Sequence, residues 1–267
     1  MRSSSGDFDV FLLLKQADLK TVSPFDENLI TLEEMIDMEV TVLGIVGSPR
    51  KGGNTEVMVN TALEAGKESG NVQTDMVTLA GRNVHPCKGC SYCWFHEGVC
   101  KIKDDAEEIL QKMVKADGLI VGSPAYFGSM TATLKALFER CLKLNILEDD
   151  MGSTDYEKFK DKEVLFPLRN KVGGAIGVGG CPSGGQEKVI TDIHAFFHLN
   201  DMIVVSDGGI RTPAVHPHFG GVGTARRKKE ILHDPYGMAS SKSVGMRVAE
   251  VAKLIKRGIQ AQGEKKR

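Results

Sequence analysis

Four of the six cysteines in this 267-residue chain fall in one short stretch, Cys87-x2-Cys90-x2-Cys93-x6-Cys100. Thiolates are soft ligands, and the two short spacings let three of them converge from a single turn. Gly89 and Gly98 relieve the crowding that such a turn creates. The donor set suits a 4Fe-4S cluster, for which compact cysteine runs are the usual ligands. Two other chemistries stay open. Zinc also accepts four thiolates, although its structural sites more often use two well-separated Cys-x2-Cys knuckles; the cysteines could also be metal-free redox thiols. Trp94 and Phe95 follow the third cysteine, either as a shield against water or as a plain apolar plug. His96 reads as a hydrogen-bonding surface residue, since four thiolates already complete a ligand set.

The second chemical stretch is Gly47-Ser48-Pro49-Arg50-Lys51-Gly52-Gly53-Asn54-Thr55. Its glycines bring backbone N–H groups close to an anion, Ser48, Asn54 and Thr55 add short donors, and Arg50 adds charge. Such a turn also joins strands to helices for structural reasons alone. Lys51 is followed by Gly52 and not by a hydroxyl residue, so this is no triphosphate loop, and G-x-G-x-x-G spacing is absent. A single phosphate ester is the natural guest.

Other residues have plainer readings. Cys141 sits at a core position of a helical stripe, and Cys181 reads as a packing thiol. His216-Pro217-His218 reads as loop, and Arg226-Arg227-Lys228-Lys229 reads as a solvated helix face before it reads as a phosphate site. No acid, base or nucleophile set of the hydrolase kind is visible, which fits a protein whose cofactor carries the chemistry.

The elements that must position these stretches alternate from Val40 onward. Apolar runs predict strands at Val40–Val46, Val72–Leu79 (more polar, an edge), Gly118–Ser123, Val172–Val178 and Met202–Ser206. Helical periodicity is carried by Val59/Ala62/Leu63/Gly66, by Ala106/Ile109/Leu110/Met113/Val114 and by Leu134/Leu137/Phe138/Cys141/Leu142. It resumes at Val189/Ile193/Phe196/Phe197 and at Val244/Val248/Val251/Ala252/Ile255. Asp104 or Asp105 would cap the second helix. Residues 145–168 and 207–236 read as two long excursions, and residues 1–37 as an extension before a single domain over 38–267, with the cysteine insert at 84–103. Five strands alternating with five helices make an α/β fold, a doubly wound parallel sheet covered on both faces. Ligands then bind beyond the carboxyl ends of the strands, where four unusual loops leave: 47–55, the cysteine stretch, 123–129 and 179–187.

Composition narrows the partners. The formal net charge is -1, the pI is about 6.7, and no apolar run approaches the ~18 residues of a spanning helix. Nucleic acid and membrane are therefore not expected. Without a compact apolar segment and cleavage site near the N-terminus, the expected location is cytoplasmic and the thiols reduced.

The 47–55 loop, Ser123-Pro124-Ala125-Tyr126-Phe127-Gly128-Ser129 with the following Leu134-Lys135-Ala136-Leu137-Phe138-Glu139-Arg140, and Gly184-Gly185-Gln186-Glu187 together resemble the NAD(P)H-dependent FMN reductases of the flavodoxin-like superfamily. With the cysteine run added, the likeness is closest to iron-sulfur flavoproteins, and it covers roughly residues 38–260. The resemblance implies strand order 2-1-3-4-5 and an FMN-dependent oxidoreductase. It sets the FMN phosphate against Ser48, Arg50, Asn54 and Thr55. Pro124, Ala125, Tyr126, Phe127 and Gly128 would border the ribityl chain and ring, and Gly179, Gly180 and Gly185 the ring's other edge. It also implies a homodimer or homotetramer, a ferredoxin-like protein or NAD(P)H as electron donor, and a small-molecule acceptor. A cluster-free FMN or quinone reductase is the alternative.

Overall fold

In the run Val40–Val46 successive side chains are buried toward opposite faces, as a strand covered on both sides requires. The structure, a computed structural model, describes residues 38–144, 146–147, 164–208 and 218–265. Its main elements are β1 (Val40–Val46), α1 (Asn54–Glu68), β2 (Val72–Thr78), α2 (Ala106–Lys115), β3 (Gly118–Pro124) and α3 (Ala132–Arg140). They continue with β4 (Val172–Gly179), α4 (Gln186–Leu199), β5 (Ile203–Val205), β6 (Gly221–Thr224) and α5 (Pro235–Lys265). The strands lie in the order β2-β1-β3-β4-β5, all parallel, as the resemblance implied.

Alternate residues feed two cores. Leu43, Ile45, Leu119, Val121 and Ala175 face α2, α3 and α4, while Val40, Val42, Ile120, Val172 and Ile176 face α1 and α5. The α1–α5 crossing is tight: a Cβ on Gly245 would stand 1.8 Å from the Ala62 carbonyl oxygen. Asp104 supplies the side-chain bond at the start of α2, its Oδ1 accepting from Ala106 N at 3.1 Å.

Residues 207–236 are not one excursion, as the sequence suggested. Their middle returns as β6, which pairs in parallel with Ile176–Gly179, while β5 pairs with Val172–Gly174 of the same strand. The fifth strand position is thus filled in two pieces. β4 runs on past the end of β5, and its remaining edge groups need partners. Leu142 is a second correction. α3 ends at Arg140, a 3-10 turn over Cys141–Leu144 breaks the stripe, and Leu142 is exposed while Cys141 stays buried, its thiol pushed up by that burial.

Of the 145–168 excursion, Ile146–Leu147 pairs antiparallel with Val164–Leu165. The expectations for residues 1–37 and 209–217, with His216 and Pro217, lie outside the described residues. Among the described residues no helix is long and apolar enough to cross a membrane.

Candidate functional site

Because the sheet is parallel, the loops after β1, β2, β3, β4 and β6 leave one edge. The first holds its shape internally. Gly53 N donates to Arg50 O at 3.2 Å, Arg50 N to Ser48 Oγ at 3.2 Å, and Gly52 N to Glu56 Oε2 at 2.8 Å. Ser48 and Thr55 are buried, and Arg50 is exposed. Gly53 is the N-cap of α1 and brings no side-chain oxygen, which leaves that helix end to whatever the loop receives. Asn54 is used elsewhere: its Nδ2 donates to Arg227 O at 2.8 Å, and its Oδ1 accepts from Ile231 N at 3.4 Å.

After β3 the chain makes a two-residue hairpin. Tyr126 and Ser129 exchange backbone bonds of 2.9 and 3.2 Å, and Phe127 and Gly128 sit at the tip with positive φ. Phe127 is fully exposed there and Tyr126 is 43% exposed, so the hairpin carries its aromatics outward, not into the core. Ala125 N donates to Val178 O at 2.8 Å, fastening the hairpin to β4. The loop after β4 meets it: Gly185, at φ 98°, would place a Cβ 3.3 Å from Gly128 Cα and 3.4 Å from Ala125 Cβ. Gln186, almost fully buried, donates to Cys181 O at 2.9 Å. Cys181 itself is exposed.

The basic run differs from the helix face expected of it. Arg226–Lys229 is no helix face; it forms the turn after β6, held by Glu230, whose Oε2 accepts from the backbone N of Arg226 and Arg227 at 2.6 Å each. Arg226 Nε donates to Gly180 O at 2.7 Å, and Lys228 overhangs the first loop, its Nζ 3.6 Å from where a Gly52 Cβ would be. The run therefore bridges the loops after β1 and β4. Non-local pairing of this kind leaves no trace in local sequence.

The cysteine loop is wound with left-handed residues at Gly89, Ser91, Glu97 and Gly98, and a 3-10 turn spans Tyr92–Phe95. Gly89 N donates to Cys87 Sγ at 3.4 Å, and Cys93 O accepts from Gly98 N at 2.9 Å. Burial pushes the Cys93 thiol up, and the neighbouring Cys100, Cys87 and Cys90 add to it. All four are free thiols, although among the described residues no three His, Cys, Asp or Glu side chains converge closely enough to hold a metal ion. His96 stacks on Tyr92 at 3.6 Å, and its Nδ1 donates to Tyr92 O at 2.9 Å, as a structural histidine does. Two N–H donors, Trp94 Nε1 and Arg140 Nε, are buried with no hydrogen-bond partner among the described residues. Unspent N–H groups beside four thiols fit a centre that presents sulfur acceptors. Phe95 is 57% exposed, so it is not a buried plug among the described residues.

The family model described as NADPH-dependent FMN reductase matches residues 40–215. The chain belongs to that family. An iron-sulfur flavoprotein of Methanocaldococcus jannaschii is 43% identical over 216 residues, covering 81% of this chain and 99% of the relative. One of Methanosarcina thermophila is 39% identical, covering 81% and 97%. Among solved structures, a flavone reductase superposes with TM-score 0.56 at 19% identity, covering 81% of this chain and 64% of that one. RosB does so with TM-score 0.56 at 16% identity, covering 85% and 87%. Together with a WrbA-like flavodoxin of Agrobacterium tumefaciens, which superposes with TM-score 0.50 at 14% identity, and with the strand order β2-β1-β3-β4-β5, they show a flavodoxin-like fold. As a member of the FMN reductase family, this chain is an FMN-dependent oxidoreductase.

Proposed function

We propose that this FMN reductase family member is an electron-transfer flavoprotein in which Cys87, Cys90, Cys93 and Cys100 hold one 4Fe-4S cluster that exchanges electrons with FMN. The observation that carries the cluster is the loop itself: four free thiols on one short segment whose backbone is wound through left-handed residues, with two buried N–H donors left unspent. The relatives named iron-sulfur flavoproteins support it. Ser48, Arg50, Thr55 and the N-terminus of α1 receive the FMN phosphate in this reading, with Asn54 fixing the loop from behind. Pro124, Ala125, Tyr126, Phe127 and Gly128 line one side of the flavin and Gly179, Gly180 and Gly185 the other.

FMN takes one or two electrons, whereas a cubane cluster moves one, so the pair matches a one-electron donor to a two-electron acceptor. The chain's residues bind and orient, keep water from the ring with the two loops, and aim backbone N–H groups at its polar edge. A ferredoxin-like protein is the donor in this reading and a small molecule the acceptor. The exposed Phe127 and Tyr126 favour a homodimer or homotetramer that covers the hairpin. The six cysteines, all free, fit a reducing, cytoplasmic setting.

Iron and sulfide analysis of protein purified without air tests the cluster: about four of each per chain are expected, and zinc without sulfide sinks it. Stopped-flow reduction by a ferredoxin-like donor should outpace NADPH. A second reading, an NADPH-dependent FMN or quinone reductase without a cluster, is favoured by the basic turn Arg226–Lys229 at the mouth of the site, where a dinucleotide's phosphates could bind. Rapid reduction by NADPH in Cys90→Ser protein would favour it.

A further inference from the structure

Resting on the reading of the four cysteines as cluster ligands, one buried charge remains without a role. Arg140 closes α3 on a helix face that is otherwise apolar, and only 2% of it is exposed. Its Nη1 donates to Asp104 Oδ2 at 2.7 Å and to His85 O at 3.2 Å, and its Nη2 donates to Ile102 O at 3.1 Å. Asp104 Oδ2 also accepts from His85 N at 2.8 Å. His85 precedes the first cysteine and Ile102 follows the last, so the ion pair joins both stems of the cysteine loop. Stability alone does not call for a buried pair, because desolvation offsets much of the attraction and an apolar residue would fill the stripe as well.

The guanidinium is not fully used by these oxygens. Its Nε is buried with no partner among the described residues, and the group as a whole lies within hydrogen-bonding and charge reach of Cys100. We propose that Arg140 is a positioning residue that sets the reduction potential of the cysteine centre, by donating N–H to the Cys100 sulfur and holding a positive charge beside it that Asp104 tempers. Reduction adds one negative charge to the centre, and an N–H donor or a cation next to a ligand sulfur favours the more negative state. The donor therefore raises the potential, and the Asp104 carboxylate lowers it.

Two variants separate this role from a mere staple. Arg140→Lys keeps a cation for Asp104 but loses the guanidinium fork, and Asp104→Asn keeps the fork and deletes its counter-charge. Anaerobic potentiometric titration, following the centre's electron paramagnetic resonance signal, should place Arg140→Lys at a more negative midpoint than wild type and Asp104→Asn at a more positive one. If Arg140→Lys loses its iron, the positive shift in Asp104→Asn carries the test. A staple would lower iron content in both and leave the midpoint of the remaining centres unmoved, which overturns the inference while the cluster ligands stand. Wild-type protein without iron and sulfide overturns the cluster reading and this inference with it.

Discussion

Thr131 Oγ1 donates to the Gly47 carbonyl at 2.6 Å and accepts from Leu134 N at 3.4 Å. One buried hydroxyl thus caps α3 and ties the exit of β1 to the loop after β3, while Thr131 N is held by Ser123 Oγ at 3.1 Å. Two of the loops proposed to hold FMN are joined by this atom.

Thr131→Val keeps the shape and deletes both bonds. The loss should cost about 1–2 kcal/mol of folding stability, the scale of a lost cap and an unpaired carbonyl. FMN affinity should fall with it, and Thr131→Ser should restore most of both. Urea denaturation and flavin fluorescence titration read the two effects. An unchanged midpoint in the valine variant would show the hydroxyl to be idle.

The phosphate should be read by charge. In the Arg50→Ala, Thr55→Ala double variant, FMN binding should weaken by roughly 2–4 kcal/mol, the worth of one charge-assisted and one neutral hydrogen bond. Riboflavin, which lacks the phosphate, should bind wild type and variant alike. Equal losses for both flavins would move the phosphate away from this loop.

The sheet and its loops were legible because strands buried on both faces are near-continuous apolar runs, as at Val40–Val46 and Gly118–Ser123, and glycines mark their exits. The cysteine run announced itself by spacing. β6 did not, since Gly221–Thr224 is four residues long and half glycine, and only the unpaired edge of β4 recruits it. Nor was Asn54 readable as a clamp or Arg140 as an anchor. Their partners lie 173 and 36 residues away, at Arg227 and Asp104, and no local pattern encodes such a pairing.

His194 should give the fold a mildly acidic weakness. Burial, with the nearby His198 charge adding to it, lowers its pKa from 6.5 to about 4, and its Nε2 has no partner among the described residues. The unfolded chain takes up a proton as pH falls through 6.5, while the folded chain resists until about 4. This contribution is therefore full above pH 6.5 and is lost progressively below it. The urea midpoint should drop from pH 7.5 to 5 by less in His194→Gln than in wild type. Parallel drops would assign the acid sensitivity to other groups.

The last expectation concerns two glycines in one loop. Gly185 has φ 98°, where a side chain is strained by about 1–2 kcal/mol, and its Cβ would press on Gly128 Cα at 3.3 Å. Gly180 has no such backbone requirement, and the nearest atom to its Cβ is Arg226 Cγ at 3.5 Å, on a flexible side chain. Gly185→Ala should therefore lower stability, displace the Tyr126–Ser129 hairpin and weaken FMN binding, whereas Gly180→Ala should fold like wild type. If FMN lies between these loops, the Gly185 variant should bind it several-fold more weakly in a fluorescence titration at a temperature where both variants are folded. Equal FMN affinity in the two variants would remove the flavin from between Gly185 and the hairpin, even if the stability difference held.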